Sequence, residues 1–218
     1  MKIIIVAGGP AENFEALIAD NMKKSDTFFV GVDRGAYRLM SASLPLDMAV
    51  GDFDSLTVEE LSEVKVYAKS FQQSPAEKAD TDLELGVLLA TERFPNASEI
   101  LILGGLGGRF DHEIQILYLV LQTRFAHLVE KIILLNPSNM ISFKRAGRHI
   151  LTKIPEMTYL AFASLTPVTD FFIQNARYDL AKTNFPQNFS FSSNEFLADK
   201  PVTIGFTKGI VVVIQAKD

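Results

Sequence analysis

The order of apolar segments predicts an α/β region built on a parallel sheet, followed by an all-β region. Three observations carry this expectation. Residues 1–137 alternate short apolar runs with segments of helical periodicity, at spacings too long for hairpins, which is the pattern of βαβ units. After Asn136-Pro137 the segments shorten, become rich in Thr, Phe, Val and Ile, and are punctuated by Pro155, Pro167, Pro186 and Gly209. The charge changes at the same place: residues 1–137 hold 12 basic and 20 acidic residues, whereas 138–218 hold 9 and 6. Two domains, 1–137 and 138–218, are therefore expected.

Taken in order, residues 2–7 read as a buried strand, followed by a glycine turn and a helix over about 12–24. Phe28 to Val32 is a second strand ending at Asp33, with a helix over 34–43. Met48-Ala49-Val50 is a third, ending in Gly51-Asp52. A helix is expected near 57–64, then a short strand over 64–68. Residues 80–93 form a helix with Leu85, Leu88 and Leu89 on one face, Ile100 to Leu103 a strand, 112–127 a helix and Lys131 to Leu135 a strand. In the second region Val202–Phe206 and Ile210–Ile214 flank Thr207-Lys208-Gly209 and read as a hairpin.

Composition removes several classes of function. The chain has 218 residues, 48% of them apolar, enough for a substantial core. It contains no cysteine, which excludes a thiol nucleophile, a thiolate metal site and a disulfide framework. A net charge of −5 disfavours general nucleic-acid binding. The apolar run Ile3 to Ala7 is too short for a signal-peptide core, and no stretch is long enough to span a membrane. A soluble cytoplasmic protein is expected.

Ligands of open parallel sheets sit beyond the carboxyl ends of the strands. Several of these ends carry aspartates: Asp33, the pair Asp52 and Asp54 in Gly51-Asp52-Phe53-Asp54-Ser55, and Asp111, with Asp80 and Asp82 at the start of a helix. In an extended loop residues two apart point the same way, so Asp52 and Asp54 can share one cation. One aspartate after a strand is ordinarily a helix cap or turn former, and Asp54-Ser55 suits capping. Recurrence after several strands points instead to Mg²⁺, which takes oxygen ligands from one or two carboxylates plus the phosphates of a substrate.

A second element, Gly104-Gly105-Leu106-Gly107-Gly108-Arg109-Phe110-Asp111-His112, lies between a strand and a helix. Its glycines allow close approach to an anion, the helix offers N-terminal N–H groups, and Arg109 can add a bidentate phosphate contact; the plainer alternative is a glycine-rich turn with Arg109 in a surface ion pair. It is neither a dinucleotide fingerprint nor a P-loop, because Phe110 replaces the third glycine and no Gly-Lys-Ser/Thr occurs. His127 and His149 have no partners visible in sequence. Ser192-Ser193-Asn194-Glu195 reads as a turn between strands.

Gly51-Asp52-Phe53-Asp54-Ser55, the segment Lys78 to Asp82, Gly107 to His112 and the late Ser193-Asn194 together resemble the bacterial thiamine pyrophosphokinase family, in order and over nearly the whole chain. The resemblance implies a Rossmann-like α/β domain binding ATP and Mg²⁺, followed by a β-sandwich domain that reaches thiamine near the interface of a homodimer. It implies transfer of pyrophosphate from ATP to the thiamine hydroxyl, giving thiamine diphosphate and AMP. It further implies that Asp52, Asp54 and Asp82 hold Mg²⁺, that Lys78 and Arg109 face phosphates, and that Asp33 and Asp111 complete the acidic lining. Thr81, Gly107, Gly108 and His112 belong to the same motifs, and Ser193 and Asn194 would touch thiamine. Asp82 and Asp111 are equal candidates for the base.

Two departures stand out. The family commonly writes Lys-Asp-x-Thr-Asp, whereas here Ala79 follows Lys78 and an aspartate comes one place later as Asp80. Animal members set a tryptophan against thiamine; this chain has none, leaving Phe191, Phe196 or Tyr178 as the aromatic face. A different Mg²⁺-dependent small-alcohol kinase and a non-catalytic nucleotide sensor are the alternatives.

Overall fold

The computed structural model describes residues 1–10, 12–22, 26–75, 79–198 and 200–218. Contacts divide the chain into two units, Met1–Leu119 with Leu134–Pro137, and Val120–Ile133 with Ser138–Asp218. Residues 120–133 thus pack with the second unit rather than with the α/β region that precedes them.

The first unit contains the strands β1 (Lys2–Val6), β2 (Thr27–Val32), β3 (Met48–Gly51), β4 (Phe71–Gln73) and β5 (Glu99–Leu103). They pair in parallel in the order β4-β3-β2-β1-β5. Helices α1 (Phe14–Met22), α2 (Arg34–Ser41), α3 (Val58–Tyr67), α4 (Asp82–Arg93) and α5 (Phe110–Leu119) connect or follow them. Ile3, Ile4, Ile5, Val6, Val30, Val50 and Ile100 are fully buried, which is why these strands read as continuous apolar runs. The chain passes β1 to β2 on one side of β1 and reaches β5 on the other, so the switch point lies between β1 and β5.

The strand expected over 64–68 is the end of α3, and β4 falls later, at Phe71–Gln73. Thr57 and Glu60 form a reciprocal capping box that starts α3, and Val64 is its buried side chain. The apolar residues around 64–67 therefore continue a helix already nucleated. The helix expected over 112–127 is α5 followed by a 3₁₀ turn over Thr123–Leu128.

The second unit contains the antiparallel strands β7 (Asn139–Leu151), β8 (Tyr159–Ser164), β9 (Val168–Gln174), β10 (Leu180–Phe185), β11 (Ser190–Glu195) and β12 (Val202–Ala216); β6 (Ile132–Asn136) precedes them. The hairpin expected at 207–209 does not form. β12 is one strand paired with β7 along its length, and Thr207-Lys208-Gly209 lies at a bulge between Phe206 and Ile210, where Gly209 has φ +114° and the facing Gly147 +152°. Before the bulge the other edge of β12 pairs with β9, after it with β8. Phe162 of β8 meets Phe171 of β9 edge to face, with ring centroids 5.9 Å apart, in a core shared with Val202, Ile204, Val211 and Val213. The bulge thus lets one long strand serve both halves of a folded-over, sandwich-like sheet. Ser192 to Glu195, read as a turn, are part of β11. Among the described residues no helix is long and apolar enough to cross a membrane.

Candidate active site

All five strands of the first unit end at one edge, and the residues after them meet there. Ala7-Gly8-Gly9 follows β1, Asp33 follows β2, Asp52 follows β3, Ser74 follows β4 and Gly104-Gly105 follows β5. The two glycine loops press together at the switch point: a Cβ on Gly9 would stand 2.4 Å from the Gly104 carbonyl oxygen. Arg38 of α2 braces the first loop, donating from Nη1 to the Ala7 carbonyl at 3.1 Å and also to that of Gly9.

A cavity of ≈ 620 Å³ opens at this edge. Among the predicted residues, Asp33, Asp54, Thr81, Asp82, Gly108, Arg109 and His112 line it, as does Asp80. Ser55, of the same motif as Asp54, also lines it, as do residues not singled out from the sequence: Gly8, Gly9, Arg34 and Gln115. The pattern of strand, glycine turn and helix at Gly8-Gly9 is the same signal read at Gly104 to Gly108, and it could have identified the first loop. Arg34 faces the cavity while its guanidinium donates to the Ser55 carbonyl at 2.6 Å and to Glu60 at 3.0 Å, holding the 52–55 loop against α3.

One carboxylate oxygen from each of Asp33, Asp52 and Asp82 lies within 4.8 Å of the other two. Oxygens around one Mg²⁺ at about 2.1 Å stand roughly 3–4 Å apart, so shifts of about an ångström bring this set onto a single ion. The donor set fits a hard cation. Asp54 lines the cavity but stands outside this trio, contrary to the pairing expected of an extended loop. The loop is not extended: Phe53 has φ +60°, its ring is buried and stacked 4.8 Å from Phe71, and the Asp54 N–H turns back onto Asp52 Oδ1 at 3.0 Å. Asp33 takes the place in the cluster expected of Asp54. Its own backbone lies at φ 49°, ψ −122°, and its Oδ1 accepts the Phe53 N–H at 3.2 Å.

Asp82 opens α4. Ser74 Oγ donates to its Oδ1 at 2.9 Å, and the helix N-terminus favours its charge. Thr81, one of the motif residues, is the N-cap of α4. Its hydroxyl accepts the Glu84 N–H at 3.3 Å and lies 3.1 Å from the buried Glu84 carboxylate, which also accepts the Thr81 N–H. Lys78 lies outside the described residues.

The second glycine loop is arranged around Glu113 and Asp111. Gly107, with φ +84°, donates its N–H to Glu113 at 3.0 Å. Arg109 and Asp111 form a two-point ion pair at 2.6 and 3.2 Å, both side chains mostly exposed, and neither Gly107 nor Asp111 lines the cavity. The guanidinium holds the Asp111 carboxyl below its ordinary value, chiefly through the hydrogen bond, and the carboxylate raises Arg109 in return. A lowered folded-state value means this pair is present above the ordinary carboxylate range and is lost as the pH falls through the lowered value. In Arg109→Ala the Asp111 carboxyl should titrate at higher pH than in the parent, as followed by carboxyl carbon NMR. An unchanged titration would dissociate the two side chains in solution.

Ser193 and Asn194 lie on β11 of the second unit. Asn194 is buried and its amide is engaged: Oδ1 accepts the N–H groups of Tyr178 and Glu195 at 3.0 and 2.9 Å, and Nδ2 donates to the Tyr178 carbonyl at 2.9 Å. Ser193, at φ +61° beside a bulge, is exposed. Of the three aromatic candidates, Phe196 is buried and Phe191 packs on Phe189, whereas Tyr178 is 58% exposed.

Comparison with known proteins places these features in a family. Residues 19–133 match the model of the thiamin pyrophosphokinase catalytic domain, and residues 148–211 that of the thiamin pyrophosphokinase vitamin B1 binding domain. The chain is 32% identical over 225 residues to a thiamine pyrophosphokinase of Bacillus subtilis, covering 100% of both. A crystal structure of a thiamin pyrophosphokinase family protein from Enterococcus faecalis superposes with a TM-score of 0.91 at 38% identity, covering 100% of each chain. Yeast thiamin pyrophosphokinase shares the fold, with a TM-score of 0.72 at 15% identity over 99% of this chain and 86% of that one. Two consecutive family domains, over a parallel sheet and a sandwich-like antiparallel sheet, show that the chain belongs to the thiamine pyrophosphokinase family.

Proposed function

We propose that the chain transfers the β,γ-pyrophosphoryl group of ATP to the hydroxyl of thiamine, giving thiamine diphosphate and AMP. The observation that carries this reading is the match of a catalytic domain and a vitamin B1 binding domain, in that order, within one chain. In the reaction the thiamine hydroxyl oxygen forms a bond to the β-phosphorus, and the bond from that phosphorus to the oxygen bridging the α-phosphate breaks. AMP leaves with the bridging oxygen, and the hydroxyl proton passes to a carboxylate. Such transfers need positioning and charge neutralisation more than covalent participation by the protein.

In this reading ATP lies in the cavity of the first unit, its phosphates between the two glycine loops and the aspartates. Asp33, Asp52 and Asp82 hold Mg²⁺, which would neutralise charge on the phosphoryl oxygens. Asp54 faces the same space, and Arg109 and Lys78 serve the phosphates. Arg109 does so by exchanging Asp111 for a phosphate, a bidentate swap that its exposure permits. Asp82 and Asp111 stay equal candidates for the base: Asp82 lines the cavity but is engaged with the metal in this reading, and the Arg109 pair weakens Asp111 as a proton acceptor. Thr81 acts by capping α4 and so placing Asp82. The second unit carries the thiamine contacts. Ser193 offers its exposed hydroxyl and Tyr178 an aromatic face, while Asn194 fixes the Tyr178 backbone that supports them. The resemblance assigns a homodimer.

The test is AMP release from ATP with Mg²⁺, with and without thiamine, the thiamine product being identified by mass. AMP should appear one-for-one with thiamine diphosphate. ADP with thiamine monophosphate would replace this reaction by ordinary phosphoryl transfer, and no thiamine-dependent turnover would overturn the reading.

A further inference from the structure

We infer that Ser74 is a positioning residue for the metal-binding carboxylate of Asp82, an assignment that rests on the reading of Asp33, Asp52 and Asp82 as the Mg²⁺ site. Ser74 is the residue after β4, and neither the sequence motifs nor the cavity lining includes it. It is buried, at 9% exposure, and its backbone N–H donates to the Gly51 carbonyl at 2.8 Å, extending the β3–β4 ladder by one step. This fixes it to the end of β3, one residue before Asp52. From that point its hydroxyl reaches Asp82 Oδ1 at 2.9 Å, although Asp82 belongs to a different element, the first turn of α4. The bond therefore ties the carboxylate on the helix to the strand end that carries its neighbour in the cluster.

Three carboxylates with oxygens within 4.8 Å repel one another, and a carboxylate free to rotate would turn away. In this cluster each is held by a donor on an oxygen: Asp33 by the Phe53 N–H, Asp52 by the Asp54 N–H, Asp82 by Ser74 Oγ. The first two donors are backbone N–H groups, which only proline would remove, at the cost of the turn itself. Ser74 is a side chain, so its role can be tested. A hydroxyl on one oxygen sets the plane of the Asp82 carboxylate and offsets part of the repulsion, leaving the group oriented before the cation arrives. Groups that orient metal ligands in this way typically contribute 10–100-fold to metal affinity.

The experiment measures Mn²⁺ binding to the whole protein by the loss of the free-ion electron paramagnetic resonance signal, without ATP or thiamine. Wild type, Ser74→Ala, Ser74→Thr and Asp52→Asn are compared, together with their melting temperatures and the KM for thiamine. Wild type should bind Mn²⁺ saturably and Asp52→Asn should not. Ser74→Ala should bind about 10–100-fold more weakly, Ser74→Thr should restore affinity, and the KM for thiamine should stay unchanged. If Ser74→Ala does not fold, Ser74→Cys, which keeps the volume but donates poorly, should show the same weakening. Saturable binding in wild type that is equally tight in the Ala or Cys variant, with or without a lower melting temperature, would overturn the positioning role. No saturable binding in wild type, either alone or after a non-hydrolysable ATP analogue is added, would instead overturn the metal reading on which it rests.

Discussion

Asp52→Asn should reduce thiamine-dependent AMP release by about 10²–10⁴-fold, the several kcal/mol that a correctly held cation supplies to a phosphoryl-type transition state. The substitution is close to isosteric, and the amide oxygen can still accept the Asp54 N–H that forms the turn at 3.0 Å in the parent. The loop geometry, anchored by the buried Phe53 ring on Phe71, does not depend on the charge. One of three mutually repelling carboxylates has been removed, so in the absence of metal the variant should melt at or above the parent temperature. Activity should fall while stability holds or rises, and that pairing of signs separates loss of a ligand from loss of fold. Asp111→Asn is the internal contrast. Its carboxylate is exposed, paired with Arg109 and outside the Asp33, Asp52 and Asp82 cluster, so the loss there should be the smaller of the two. Full activity in Asp52→Asn would remove Asp52 from the site. A drop in melting temperature would assign it a structural role instead.

How far the site could be read from sequence follows from which interactions are local. Aspartates and glycines placed after apolar runs are visible as such, and a parallel sheet brings all its strand ends to one edge, so Asp33, Asp52, Asp82 and the Gly104 to Gly108 loop could be grouped without coordinates. The partition between Asp33 and Asp54 could not. It depends on a single residue, Phe53, adopting a positive φ because its ring is buried against Phe71, and nothing in the alternation of polar and apolar residues signals that. Ser74, Arg34 and Gln115 escaped for a related reason, since each meets a partner on another element: Asp82 for Ser74, Ser55 and Glu60 for Arg34, and Glu84 at 3.4 Å for Gln115. In the fold, the misread pieces were those where long-range pairing overrides local signals. Thr207-Lys208-Gly209 is ordinary turn sequence, yet β7 pairs with β12 on both sides of it and converts the turn into a bulge. The apolar residues at 64–67 suit a strand, yet the capping box at Thr57 commits them to a helix.

Gly51→Ala should combine a large loss of stability with a large loss of metal binding, because the position is constrained twice. Gly51 has φ +147°, and a Cβ there would stand 1.9 Å from Asp33 Oδ1 and 2.8 Å from its Cγ. The backbone term and the overlap together should destabilise the protein by about 2–4 kcal/mol, measured by urea unfolding. Gly107→Ala isolates the backbone term: Gly107 has φ +84°, but its nearest new neighbour would be Pro10 Cγ at 4.0 Å, so no overlap is added. Its cost should be about 1 kcal/mol. In Gly51→Ala the atom that must yield is the carboxylate itself, so the Asp33 bond to the Phe53 N–H breaks and the trio of oxygens is pulled apart. The double variant Gly51→Ala/Asp33→Ala then decides the cause. Removing the carboxylate removes the collision, so the two substitutions should be less destabilising together than their sum by about 1–2 kcal/mol, the coupling expected of side chains in direct contact. Strict additivity would place the strain of Gly51→Ala in the backbone alone and would mean that the close packing of Gly51 against Asp33 does not hold the carboxylate in place. The shortfall from additivity would mean that glycine is required at the end of β3 because the Asp33 carboxylate fills the space where a side chain would be.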